Sequence, residues 1–215
     1  MRKSSYVIAF FAVAATLILN ILSVQRPDWL VVSEPDIIHD KVVVEYGLNR
    51  RCETRVIQLP YPGGSKNTYT SYECRAFPMR APDGCEKDNK KFCMIWSTAG
   101  YFGELGIGFA VVACLAILFG VTTHSRRRRI WKSASVLVVL HVLSQITAFA
   151  VVTELYRTEA FPTFNHARPG LAYVLNTISW VVGLLVAAGV VITGISANKG
   201  HQWAAGNRAY RPIDG

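Results

Sequence analysis

The sequence predicts a membrane α-helical fold: a bundle of four transmembrane helices carrying a small extracellular antiparallel β-sheet. Three observations predict it. The charged residues are clustered, which leaves four long apolar windows nearly free of them. The excess positive charge sits in alternate segments between those windows. Four of the five cysteines fall together in one strand-rich loop.

The windows come first. Of the 215 residues 51% are hydrophobic, and the mean hydropathy is +0.26, more apolar than an ordinary soluble domain. Residues 6–24 read YVIAFFAVAATLILNILSV and form the first expected span. The others are 101–121, with Glu104 near its start, 133–152 and 171–196. Each window of roughly 19 residues or more, at ~1.5 Å per residue, crosses a hydrocarbon core of about 30 Å. The first apolar run exceeds the ~7–15 residues usual in a cleaved signal, so it is expected to remain as a span.

Charge then sets the orientation. Residues 1–5 hold Arg2 and Lys3. The segment 122–132 holds Arg126, Arg127, Arg128, Arg129 and Lys132. The tail 197–215 holds Lys199, Arg208 and Arg211 against Asp214. Together these segments carry the entire net charge of +9. Positive loops stay in the cytosol, so both termini are expected there, with residues 25–100 and 153–170 outside. The arginine run is locked between two spans. It is therefore read as a topology signal and a contact for anionic inner-leaflet lipid, and nucleic acid is not an expected partner.

The loop 25–100 reads as strands at 29–33, 41–48, 52–59 and 70–77, rich in β-branched and aromatic residues. Turn signals SEPD and PYPGGSKN punctuate them. Such a sheet is too thin for a large core. Cys52, Cys74, Cys85 and Cys93 lie in this loop and allow three pairings. The preferred one is Cys52–Cys74 with Cys85–Cys93, the second closing the short turn CEKDNKKFC. Paired C-x-x-C spacing is absent, so no metal is expected. Cys114 lies within a span and reads as a small packing residue. Asp36, His39 and Asp40 read as solvated loop residues.

Inside the spans, polar side chains are costly and face the bundle interior. Asn20, Glu104, Gln145 and Asn176 fall toward the outer ends. His141 is near mid-membrane, one helical turn from Gln145 and on its face. Interhelical hydrogen bonding is the expected role, ahead of an ion path. Small residues at Gly106, Ala110 and Cys114, and at Gly183, Ala187 and Gly194, are expected to let helices approach closely. No G-x-S-x-G, H-E-x-x-H or phosphate loop occurs. No cofactor and no catalysis are expected.

A Trp soon after the first span, then Gly-Leu-x-x-x-Cys and a later Cys in the same loop, in a chain of four spans, resembles the claudin and peripheral myelin protein superfamily. Trp29, Gly47, Leu48, Cys52 and Cys74 carry the resemblance. Asn49 stands where that motif has Trp, Cys85 and Cys93 are extra, and the C-terminus RPIDG lacks an apolar last residue. These departures point toward divergent claudin-like tetraspans, including fungal ones. The resemblance implies an outer sheet docked on a left-handed bundle by Trp29, Gly47 and Leu48. It also implies strands pinned by two cysteines, and a second loop, 153–170, adding an edge strand or an extended helix end. The implied function is organisation of plasma-membrane domains or cell contacts through self-association or other membrane proteins. An auxiliary subunit of a channel, transporter or receptor is the alternative.

Overall fold

In the computed structural model of the chain, residues 3–33, 40–60, 66–122, 127–201 and 204 are described. The elements run α1 (Lys3–Gln25), β1 (Leu30–Ser33), β2 (Asp40–Tyr46), β3 (Arg50–Pro60), β4 (Lys66–Ala76), α2 (Lys90–Thr122), α3 (Arg127–Arg157), β5 (Ala167–Pro169) and α4 (Leu171–Asn198). Among the described residues four helices are long and apolar enough to cross a membrane, so the chain is a multi-pass membrane protein with an added antiparallel sheet.

The spans lie where the apolar windows predict, but the helices overrun them. α2 starts at Lys90, ahead of the expected 101, because FCMIWSTAG continues the apolar run without a breaker. α3 covers Arg127–Arg157 rather than 133–152. The helix ends have local causes. After α1, Pro27 offers no N–H to the Ser23 carbonyl, and the chain turns away. After α4, Gly200 takes a left-handed φ of 80°, with His201 N–H donating to Ser196 O at 3.1 Å and Gly200 N–H to Ala197 O at 3.3 Å. That is the Schellman ending. α3 ends in the same way, but its left-handed residue is Glu159, at φ 49°.

The five strands run in the order β4-β3-β2-β1-β5, every pairing antiparallel. Alternation sets the faces: Leu30 and Val32 on β1 pair with Tyr46 and Val44 on β2, and all four are buried. β5, from the second loop, forms one edge against β1 and tolerates Pro169 there. The resemblance offered an edge strand or a longer helix as alternatives for that loop, and both are present. The β3–β4 hairpin forms the other edge, with eleven residues in each strand.

The chain divides into two compact units. The first comprises Met1–Asn20, Glu104–Ile146 and Ile178–Gly215. Its core packs Tyr6, Val13, Ile117, Trp131, Val138 and Val190. Small residues make this possible. A β-carbon at Gly183 would lie 2.7 Å from Val142 Cγ2, and one at Gly194 would lie 2.7 Å from Trp131 Cδ2. Ala110, Cys114 and Ala187 are buried as well, so these stripes are used within the bundle.

The second unit comprises Ile21–Gly103 and Thr147–Thr177 and contains the sheet. Its core differs from the thin one expected. Tyr46, Phe77, Phe92, Trp96, Phe161 and Phe164 form one aromatic cluster, with Phe92 and Phe161 stacked at 4.6 Å and Tyr46 edge-on to Phe164 at 5.3 Å. The sheet alone is thin, but Phe161 and Phe164 arrive from the second loop, and Phe92 and Trp96 from the first turns of α2. Aromatic pairs of this kind add about 0.5–1.5 kcal/mol each beyond burial.

Candidate functional site

The site is built where the sheet meets the helix ends of its own unit. Trp29 is fully buried, and its Nε1–H donates to Ser23 O at 2.9 Å. That carbonyl is the one Pro27 leaves without a helical donor. The indole N–H therefore faces α1, not interfacial water as an aromatic belt position would suggest, because an orphan carbonyl is the stronger claim on it. The ring packs edge-on against Tyr173 of α4 at 6.2 Å.

Gly47 has no left-handed backbone to justify it; its role is close approach. A β-carbon there would lie 2.7 Å from Arg26 O and 2.8 Å from Pro27 Cα, both backbone atoms. Leu48 is buried, and its Cδ1 sits 3.2 Å from where a β-carbon on Gly103 of α2 would project. Trp96, buried on α2, completes the patch: its Nε1–H is shared between Gly47 O at 3.3 Å and Leu48 O at 3.2 Å. The Gly-Leu turn thus takes its indole from α2. Asn49 instead faces the bare backbone of Gly100, whose β-carbon would lie 2.9 Å from Asn49 Oδ1. Trp29, Gly47 and Leu48 are brought together as a group.

Both disulfides form as preferred. Cys52 and Cys74 are direct cross-strand partners in β3 and β4 with Cα atoms 4.1 Å apart. Cys85–Cys93 ties the turn before α2 to its first helical turn. A second clasp beside it went unread in the sequence. Asp83 is buried, accepts two hydrogen bonds from the Arg75 guanidinium, and takes the Met79 N–H at 2.7 Å. Burial alone would raise the Asp83 pKa, but these donors outweigh it and hold the carboxyl below the usual range. On β2, burial and then the Asp28 carboxylate push Glu45 up, while Asp28 itself is forked to Arg26 by two 2.8 Å bonds.

The intramembrane polar residues separate into groups. His141 Nδ1 lies 2.8 Å from Gly106 O, so that nitrogen carries the proton and donates. Nε2 is then the acceptor for Asn20 Nδ2 at 3.3 Å. Gln145 fills the notch at Gly106, where a β-carbon would lie 3.1 Å from its Cδ. Asn20, His141 and Gln145 are fully buried, and both ring nitrogens of His141 are engaged, which makes the trio an interhelical link. Asn176 is also buried, in the other unit. Glu104 departs from the expectation of interior-facing polar groups: it is exposed on α2. Arg126 lies outside the described residues; Arg127, Arg128 and Arg129 form the first turn of α3, their side chains not being described. Asp36 and His39 also lie outside the described residues, as does the side chain of Asp40.

Beyond the docked patch, the β3–β4 hairpin presents its surface. Tyr69 and Tyr72 are 63% and 59% exposed and point to opposite faces. Glu53 is bracketed by Arg51 at 3.3 Å and Arg55 at 2.6 Å, and it faces Glu73 directly across the strands. Among the described residues, no group of three or more His, Cys, Asp or Glu could hold a metal ion.

These features define a multi-pass membrane protein with four spanning helices and a disulfide-stapled, helix-docked sheet. No family model matches the chain, and no curated protein matches it significantly.

Proposed function

We propose that the chain is a claudin-like tetraspan of the plasma membrane, with both termini in the cytosol. In this reading it organises membrane domains or cell–cell contacts by lateral and extracellular association and performs no catalysis. The observation that carries the reading is the docking patch: Trp29, Gly47 and Leu48 hold the sheet against helix ends. A sheet held there presents the β3–β4 hairpin at its far edge, with two exposed tyrosines. Exposed tyrosine suits protein recognition, since it offers large contact area at low entropic cost. The arginines at the start of α3 would face anionic inner-leaflet lipid.

The test is purification in mild detergent followed by native mass spectrometry. Homo-oligomers that dissociate when Tyr69 and Tyr72 are both changed to Ser support the proposal. A strictly monomeric protein bound one-to-one to a larger membrane protein would replace it with the auxiliary-subunit reading.

A further inference from the structure

Within the first unit, α1 and α4 leave an apolar groove of about 360 Å³ between them, lined in part by Ser5, Ala9, Ala12, Val186, Gly189 and Thr193. We propose that this groove binds one sterol-type lipid, a rigid apolar ring system with a single hydroxyl, in the leaflet nearer the chain termini.

Length limits the occupant. The groove begins at Ser5 and Thr193, near the terminal ends of α1 and α4, and stops at Ala12 and Val182, close to the midpoint of each helix. The run from Val182 to Thr193 rises ~16 Å at 1.5 Å per residue, about half of a ~30 Å hydrocarbon core. A partner transmembrane helix would need a seam across both leaflets. A lipid occupies one.

Charge and shape narrow the choice further. None of the ten lining residues is charged, and the only polar ones, Ser5 and Thr193, sit together at the interfacial end. A phosphate head group favours arginine or lysine, whereas a lone hydroxyl needs one or two neutral partners. Thr193 Oγ1 donates to Gly189 O at 2.6 Å, which leaves its lone pairs free to accept. The wall is smooth at Gly189, where nothing lies within 4 Å of a would-be β-carbon. A rigid ring system loses less conformational freedom on such a wall than a flexible chain does, and the volume falls within the ~300–1,000 Å³ of small-molecule sites.

The experiment uses the full-length protein in nanodiscs containing a photoreactive cholesterol analogue. Crosslinks are expected in the α1 and α4 peptides that line the groove. Gly189→Phe fills open space and should abolish them, while Gly108→Phe, at another glycine with nothing within 4 Å, should not. Thr193→Val should weaken labelling about fivefold, as loss of one hydrogen bond implies. If Gly189→Phe melts below wild type in sterol-free detergent, the Thr193→Val result decides. Labelling that persists undiminished in Thr193→Val overturns the sterol assignment. So does equal labelling of the groove by a photoreactive phosphatidylcholine that excess cholesterol fails to displace.

Discussion

Gly47 is a position where a single hydrogen atom is all the backbone of Arg26 and Pro27 permits. Gly47→Val is therefore expected to lower the melting temperature and surface level of the protein, at a cost of roughly 1–3 kcal/mol or more from overpacking against backbone. A variant that melts with wild type would remove the docking role. Trp29→Phe keeps the ring but strands the Ser23 carbonyl, which should cost about 1–3 kcal/mol in unfolding assays. Glu159 runs the other way. It holds a left-handed conformation that glycine adopts freely, so Glu159→Gly is expected to stabilise the end of α3 by up to about 1 kcal/mol, read as slower amide exchange there.

At the scale of the element, the turn 78–89 is held by the Arg75–Asp83 clasp as well as by a disulfide. The Asp83 carboxyl has a lowered pKa in the folded protein, so its contribution is complete above the unfolded value of about 3.9 and is lost as pH falls through the lower folded value. Protection of the amides in residues 79–89, taken relative to the intrinsic exchange rate at each pH, should fall through that acid range in the wild type. In Asp83→Asn it should be lower already at pH 7, and should stay flat through the same range. The spans, the first four strands and the cysteine pairing were legible in the sequence, because apolar length, β-branched runs and cysteine spacing are local signals. The aromatic core was not. Phe161 and Phe164 sit in a loop whose partners, Tyr46 and Phe92, are 69 or more residues earlier, and no local pattern announces such a meeting. Trp96 carried a faint signal in its spacing of four from Phe92, easily read as ordinary span sequence. Trp29 was legible as a residue that matters, but its hydrogen bond depends on what Pro27 cannot donate.

For the whole molecule, the four candidate spans among the described residues lead us to expect both termini on the same side of the membrane. Tags at both ends should be equally protected from protease in intact cells, and a lone accessible tag would mean that one helix does not cross. Phe161→Ala and Phe164→Ala should each destabilise by about 3–5 kcal/mol, and the loss should appear in the first-loop sheet, as faster reduction of Cys52–Cys74, although both substitutions lie in the second loop. The pairing of β1 with β5 has a consequence for manufacture. Leu30–Ser33 emerges from the ribosome long before Ala167–Pro169, and until the latter arrives one margin of the sheet has no neighbour and the aromatic cluster lacks two of its rings. A nascent chain is thus unfinished on its polar side until its last span is being made. A chain stopped at residue 160 would lack β5 and both of those rings, so it should be retained and degraded more readily than the full chain although three of its helices are complete.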